Sequence, residues 1–328
     1  MTPDVAVVGG GILGLGVADA LVRRGAAVVL LERGEPGDGQ SAGDGRGFRH
    51  LHATREQILD AVRARSGWDE WSARAGEPLV GGEGALRLGG DVFADAEYLR
   101  AAGVRAEVVD VAGEHHPALR ADAGPLLWDP RGGAIRASRA IAWLRDELGP
   151  RVRRREVRSL DEVQAGHVVV CAGAGTERLW PGVMMRREVH VRVTFAAPEA
   201  GATWADRSGH FGATAYGVAD GPGRFALGLA DHGDQPTPAD PAAEVVPADV
   251  DLAAQRARVR AYAAAAFPGL GDPVDEVVRL LTILPGPDED AYVLHSEPRL
   301  TVVAGHNLFK LAPLLAERAA ARVPRDDP

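Results

Sequence analysis

Asp4-Val-Ala-Val-Val-Gly-Gly-Gly-Ile-Leu-Gly-Leu-Gly-Val-Ala-Asp-Ala-Leu-Val-Arg-Arg-Gly-Ala-Ala-Val-Val-Leu-Leu-Glu32 is the stretch that decides the fold. Val5 to Val8 is a short β-branched run of the kind that forms a buried parallel strand. Gly9, Gly11 and Gly14 follow in GxGxxG spacing. Leu15 to Arg24 then reads as a helix with Leu15, Ala18, Leu21 and Val22 on one face. Gly25 stops it, and Ala26 to Leu31 reads as a second buried strand ending at Glu32. A dinucleotide site needs this order. Gly9 permits the tight turn, Gly11 lets a pyrophosphate approach the backbone, and Gly14 lets helix and strand pack closely. The helix start offers free N–H groups and a positive dipole end, and Glu32 is spaced to accept from a ribose diol. The prediction is a doubly wound α/β unit that binds NAD or FAD.

The whole chain has 328 residues, enough for about two domains. Its 37 basic and 46 acidic residues give a net charge of −9, which argues against a nucleic-acid partner. The lone Cys171 excludes an internal disulfide or a CxxC metal site, and reads as a small buried residue. His115-His116 lacks acidic partners at metal spacing, so no metal site is expected. The longest uncharged stretch, Val5 to Ala18, falls short of the ~20 apolar residues that span a bilayer. Thr2-Pro3-Asp4 is not the basic start of a secretory signal, so the expectation is a cytoplasmic chain without a membrane partner. Among the 37 basic residues only Lys310 is a lysine. A lysine that survives such pressure toward arginine suits a place where a compact ammonium is required.

Arg33-Gly-Glu-Pro-Gly-Asp-Gly-Gln-Ser-Ala-Gly-Asp-Gly-Arg-Gly-Phe-Arg-His50 follows the second strand. So Gly-rich a loop is out of place in a nicotinamide domain, where another helix normally comes soon. With this loop, the Val168-Val-Val-Cys-Ala-Gly173 strand and Ala304-Gly-His-Asn-Leu-Phe-Lys310, the chain resembles the FAD-dependent amino-acid and amine oxidoreductases of the D-amino-acid-oxidase superfamily. Within it, the sarcosine oxidase and N-methyltryptophan oxidase branch is the more similar.

The resemblance implies FAD held by Gly9, Gly11, Gly14, Glu32, Arg33, Ser41, Arg46, Val157, Ala172, Gly173, Gly305, His306, Asn307, Leu308, Phe309 and Lys310. It implies Arg46 beside the flavin ring, and Arg49 with Lys310 as a clamp on a substrate carboxylate. A bidentate guanidinium plus a point ammonium suits that task chemically. Tyr216 matches a substrate-pocket tyrosine. The implied reaction is oxidation of the C–N bond of an amino acid or N-alkyl amine, by hydride transfer to flavin N5, giving an imine. Partners are then a small amine or amino acid and oxygen or another electron acceptor, in a monomer or small homo-oligomer.

The chain departs from that branch in three places. Leu281 stands where several members carry the cysteine that binds FAD covalently, so the cofactor is expected to be non-covalent. Ile283 stands in place of an active-site tyrosine, and Ala226 in place of the lysine that promotes reaction with oxygen. These favour, as alternatives, a pathway-specific dehydrogenase for a bulkier amine with poor oxygen reactivity, or a flavin-binding partner protein without catalysis.

Elsewhere, Leu51 to Gly76 reads as a helix with Ile58, Leu59, Val62, Trp68 and Trp71 on one stripe. Leu86 to Val92, Val104 to Val109, Arg151 to Arg158 and Glu188 to Phe195 read as strands. Ser138 is placed to cap a helix reaching Leu148, Leu252 to Phe267 is an Ala-rich helix, and a final helix is expected to begin at Gly305. Pro236 to Pro247 reads as loop. The predicted fold class is α/β with α+β insertions: a Rossmann-type FAD-binding domain from 1–78, 130–180 and 276–328, and an intertwined substrate domain on a mostly antiparallel sheet from 79–129 and 181–275.

Overall fold

In the computed structural model, which describes residues 3–110, 112–230, 250–286 and 290–324, Val5–Val8 lies between Val28–Glu32 and His167–Val170, parallel to both. The six-stranded sheet they centre runs Tyr292–Glu297, Leu300–Gly305, His167–Val170, Val5–Val8, Val28–Glu32, Val152–Arg154. Alternation explains why these strands are apolar throughout. Val7, Leu30 and Val169 face the helices Ile12–Arg23, Arg55–Ala75, Ala137–Leu148 and Ala312–Ala320, while Val8, Leu31 and Val170 face Val157 and Leu179. Thr54 caps Arg55–Ala75, its hydroxyl accepting from the Gln57 N–H and the Gln57 side chain accepting in return, and Gly76 ends the helix at φ 74°.

The second sheet has eight strands in the order Pro273–Ile283, Arg186–Ala196, Arg224–Ala230, Thr214–Ala219, Thr203–Asp206, Ala85–Leu88, Leu126–Asp129, Glu107–Val109. Its pairings are antiparallel except Thr203–Asp206 with Ala85–Leu88. Val191, Val193 and Phe195 pack with Val259 and Tyr262 of the helix Leu252–Ala266, so Glu188, His190 and Arg192 face the opposite way, toward the first sheet. The fold is the predicted mixture of a Rossmann-type unit and a mostly antiparallel second sheet. Pro273–Ile283 crosses the expected boundary at 276 and pairs with Arg186–Ala196 along its length. Among the described residues no helix is long and apolar enough to cross a membrane.

Several local readings need correction. Val92 opens a helix, Val92–Ala101, rather than ending a strand, because the Asp91 carboxylate accepts from the Ala94 N–H. Only Val152–Arg154 of the Arg-rich stretch is strand; it is an edge whose sole neighbour is Val28–Glu32. Ser138 is not a cap, since the helix already starts at Ala137, and the Asp44 carboxylate instead accepts from the Ser138 N–H at 2.9 Å. The last helix starts at Ala312, not Gly305. Leu300–Gly305 is strand, Asn307 takes a left-handed φ of 55°, and a 3₁₀ turn spans Leu308–Leu311. The Pro236–Pro247 loop lies outside the described residues.

Candidate active site

Between the two sheets lies one cavity of about 570 Å³, reaching from Gly9 and Glu32 to Tyr216 and Lys310. At its first end the wall is backbone. Gly9 has a φ of 106°, and a Cβ on it would press into the Cys171 carbonyl; a Cβ on Gly14 would drive into the Gly9 carbonyl. Gly14 thus packs behind the cavity, while Gly9, Gly10 and Gly11 line it. Glu32 braces the turn: Oε2 accepts from the Gly10 N–H at 2.6 Å and Oε1 from the Gly34 N–H at 2.8 Å. Ser41 Oγ accepts from the Ile12 N–H, the first of the helix, at 3.2 Å, and Gly11 at the N-cap has no side chain to cap the N–H groups that follow. A helix start of this kind beside a glycine turn is a seat for phosphates, and Glu32 retains lone pairs for a ribose. The residues present fit a dinucleotide.

Arg33, Ser41, Ala172 and Gly173 also line the cavity. Val157 does not. It packs among Leu31, Val170 and Leu179 with its carbonyl turned to Arg178, so its expected cofactor contact is corrected. Burial pushes the Cys171 thiol up to about 12, which keeps it protonated and unreactive.

The other end is built from side chains. Arg46, Arg49, Tyr216 and the segment Gly305, His306, Asn307, Leu308, Phe309 and Lys310 all line the cavity. Arg46 lies 5.6 Å from the Phe309 ring centre and donates to the carbonyls of Gln40, Ala42 and Asp44. The clamp, however, is already filled. Lys310 Nζ donates to Asp290 Oδ1 at 2.8 Å, and Arg49 stands 3.6 Å from Asp290 Oδ2. Asn307 Nδ2 and His52 Nδ1 reach the same carboxylate at 3.0 and 2.7 Å. Burial alone would raise Asp290, yet Lys310, the His52 hydrogen bond and Arg49 together hold it well below the usual carboxylate range. Burial lowers Lys310 to about 8, with Arg49 adding to the effect and Asp290 opposing it. Burial likewise lowers His52 to about 3 and His306 to about 4, so both imidazoles are neutral near pH 7.

Sequence reading missed Asp290, His52, Glu188, His190, Arg192 and Arg279. For those on Arg186–Ala196 a signal existed, since the polar positions alternate with Val191 and Val193. Glu188 bonds to His190 Nε2 at 3.2 Å and pairs with Arg186 at 2.8 Å. Of the departures, Leu281 and Ile283 line the cavity, whereas Ala226 is sealed into an apolar patch with Ala134 and Val218.

Comparison with known proteins matches residues 4–322 to the family described as FAD dependent oxidoreductase, DAO. A D-amino-acid oxidase of Streptomyces coelicolor is 32% identical over 196 residues, an alignment spanning 56% of this chain and 56% of that protein. Among solved structures, NikD, described as an unusual amino acid oxidase essential for nikkomycin biosynthesis, superposes with a TM-score of 0.81 at 22% identity, covering 99% of this chain and 95% of that one. L-proline dehydrogenase of P. horikoshii gives 0.81 at 19% identity over 97% and 92%, and glycine oxidase of Geobacillus kaustophilus 0.79 at 21% over 99% and 95%. At these identities the structural likenesses speak for the fold.

Proposed function

Since the chain belongs to the DAO family of FAD-dependent oxidoreductases, we propose that it oxidises the C–N bond of an amino acid or N-alkyl amine held at the side-chain end of the cavity. The observation that carries this reading is the continuity of that cavity. A phosphate seat at Gly9–Gly11 opens into a chamber walled by Arg46, Tyr216, His306 and Lys310, so a cofactor seated at one end reaches a substrate at the other. FAD, when bound, supplies the acceptor for the hydride equivalent that leaves the carbon, so the product is an imine that water hydrolyses.

Gly9, Gly11, Glu32, Arg33 and Ser41 would hold the nucleotide of a bound FAD, and Arg46, Ala172, Gly173 and the segment from Gly305 to Lys310 would hold its flavin. Leu281 has no sulfur to form a thioether, so FAD is held without a covalent bond through that position. Lys310 and Arg49 keep positive charge at the chamber wall, balanced by Asp290. The substrate nitrogen must lose a proton before or as its carbon is oxidised. His306, neutral above about pH 4, and His190, hydrogen-bonded to Glu188, are the cavity imidazoles placed to take it. The protein's main contribution is holding the carbon in one orientation in the cavity between the sheets.

The finer placing, in the sarcosine oxidase and N-methyltryptophan oxidase branch with a secondary amine as substrate, rests on the loop from Ser41 to Arg49 and on Lys310. We assign the cofactor lobe to 1–78, 130–180 and 284–328 and the substrate lobe to the remainder, the last boundary following the strand Pro273–Ile283. A dehydrogenase with slow oxygen reactivity is the second reading, favoured by Ala226, an alanine sealed among Ala134 and Val218 in place of a lysine. The test is an anaerobic screen of the yellow holoprotein over N-methyl and cyclic amino acids, followed through the flavin absorption band. Bleaching by at least one is expected, with air then restoring the colour slowly. Colourless protein that takes up no added FAD, or flavin that no amine bleaches, rejects the proposal; prompt peroxide formation rejects the dehydrogenase reading.

A further inference from the structure

The chamber has two cationic corners, and only one of them is electrically satisfied. At the first, Asp290 receives donors from Lys310 and Asn307 on Oδ1 and from His52 on Oδ2, with Arg49 alongside. A substrate carboxylate arriving there would have to displace a carboxylate that already accepts from Lys310, Asn307 and His52. The second corner is the floor of the eight-stranded sheet, where Arg192 and Arg279 converge with Arg46 around the loop from Gln40 to Gly45. Arg192 is 3% exposed and donates to the carbonyls of Gly45 at 2.6 Å and Asp44 at 3.1 Å. Its nearest carboxylate oxygen, on Asp220, is 3.6 Å away, and that side chain is shared with Arg224 at 3.7 Å. Arg279 donates to the Ala42 carbonyl at 3.0 Å and pairs with no carboxylate among the described residues. The Nε of Arg192 and the Nε of Arg279 are both buried without a partner.

Of the three guanidinium groups, Arg192 alone has a carboxylate within ion-pair distance among the described residues, and that carboxylate, on Asp220, is shared with Arg224. Burial and mutual repulsion show in the titration: Arg46 is lowered to about 9 by burial, Arg279 and Arg192, and Arg279 to about 10 by burial and Arg192. Cross-strand register sets the corner facing a substrate, since Arg279 pairs with His190, and Arg192 and Tyr216 are both paired with Gly228. Buried cations with unfilled donors are where an anion gains most.

Resting on the oxidoreductase reading above, we propose that the acid group of the substrate is held by Arg279 and Arg192 on the sheet floor, while Arg49 and Lys310 are committed to Asp290. The substrate class this defines is an amine bearing a carboxylate that reaches the Tyr216 side of the chamber, away from Lys310.

The anion that satisfies this corner could instead be the flavin, so the experiment separates the two. Propionate and its neutral isostere propionamide are titrated into FAD-loaded protein, the dissociation constant being read from perturbation of the flavin visible spectrum. Wild type is expected to bind propionate and not propionamide. Arg279→Met is expected to weaken propionate about tenfold or more, as loss of a charge-assisted bidentate contact does, and more than Arg49→Met does. Arg279→Lys, which keeps the charge, recovers part of the loss and guards against misfolding, checked by far-UV circular dichroism. FAD affinity is expected to stay within about twofold in Arg279→Met, because the phosphate seat is untouched. The proposal is overturned if wild type does not distinguish the two probes, if Arg49→Met loses more than Arg279→Met, or if Arg279→Met loosens FAD while leaving propionate unchanged. Turnover is not read in this titration, so the anchor and the oxidation reaction fail or stand separately.

Discussion

At the nucleotide end, the turn that shapes the cavity wall is glycine backbone at residues 9 to 11, braced by the Glu32 carboxylate and the Ser41 hydroxyl. At the opposite end it is largely side chain, drawn from the Gly-rich loop, the strands of the second sheet and the segment before the last helix. The first end is fixed by backbone geometry, and at Gly9 and Gly14 it tolerates nothing larger than hydrogen. The second is fixed by charge balance, and tolerates change where the balance is preserved. Sterics should therefore dominate variants at one end and electrostatics at the other.

The largest expected effect is steric. Gly14→Val places a branched side chain where a single Cβ already meets the Gly9 carbonyl, so neither strand nor helix can yield without opening the turn. We expect a stability loss of roughly 4 kcal/mol or more and no retained flavin, measured by urea unfolding and by the flavin-to-protein absorbance ratio. Retention of stoichiometric flavin would contradict the account of the backbone seat.

Next comes the charge-balanced end. Lys310→Met leaves Asp290 with a buried negative charge and its closest cationic donor gone. A loss of about 3 kcal/mol is expected from unfolding curves, because breaking a buried pair costs more than removing both members. Adding Asp290→Asn to it should recover most of that loss. Two single losses that simply add would show that the pair is not coupled.

This contrast also explains what could be read from sequence. The nucleotide seat is local: strand, glycines, helix and acidic strand end follow one another within residues 4 to 32, and each has a conformational signature. Arg46, Arg49 and Lys310 were found because they sit in motifs. Asp290 was not, since an acidic residue in an acidic, Pro-containing stretch carries no mark until the fold brings Lys310, His52 and Asn307 around it. Arg192 and Arg279 are two of many arginines, and only strand register turns them toward a cavity. The start of the helix Val92–Ala101 was lost for a local reason: the strand reading ran from Leu86 through two glycines to Val92 without weighing the Asp91 cap.

The pH dependence distinguishes the cavity from the core of the second sheet. His116 packs between Phe225 and Phe267, and burial lowers it from its ordinary 6.5 to about 4. Unfolded, it takes up a proton near 6.5; folded, it refuses one until about 4. Stability should therefore fall as pH drops through that window and be retained above it. His52 and His306 act in the same direction from the cavity. Replacing His116 with Leu should flatten the decline by about 2 kcal/mol, read from urea midpoints between pH 7 and 4. Added FAD should leave that share unchanged.

The smallest test concerns the start of the helix Ala137–Leu148, where local and tertiary logic disagree within one hydrogen bond. By local logic Ser138 caps the helix, and its removal should cost the usual cap energy. In the fold Ser138 is inside the first turn, and the acceptor is the Asp44 carboxylate, 2.9 Å from the Ser138 N–H and carried by the same loop that contacts Arg46 and Arg192. Ser138→Ala should then change stability by less than about 0.5 kcal/mol, while Asp44→Ala should lose about 1 kcal/mol, because an anion at a helix start both accepts the free N–H and opposes the dipole. The loss at Asp44 should shrink in high salt, which screens the dipole term but not the hydrogen bond. If Ser138→Ala costs the more, the helix begins two residues later than described, and the loop that shapes the arginine corner is not anchored to it.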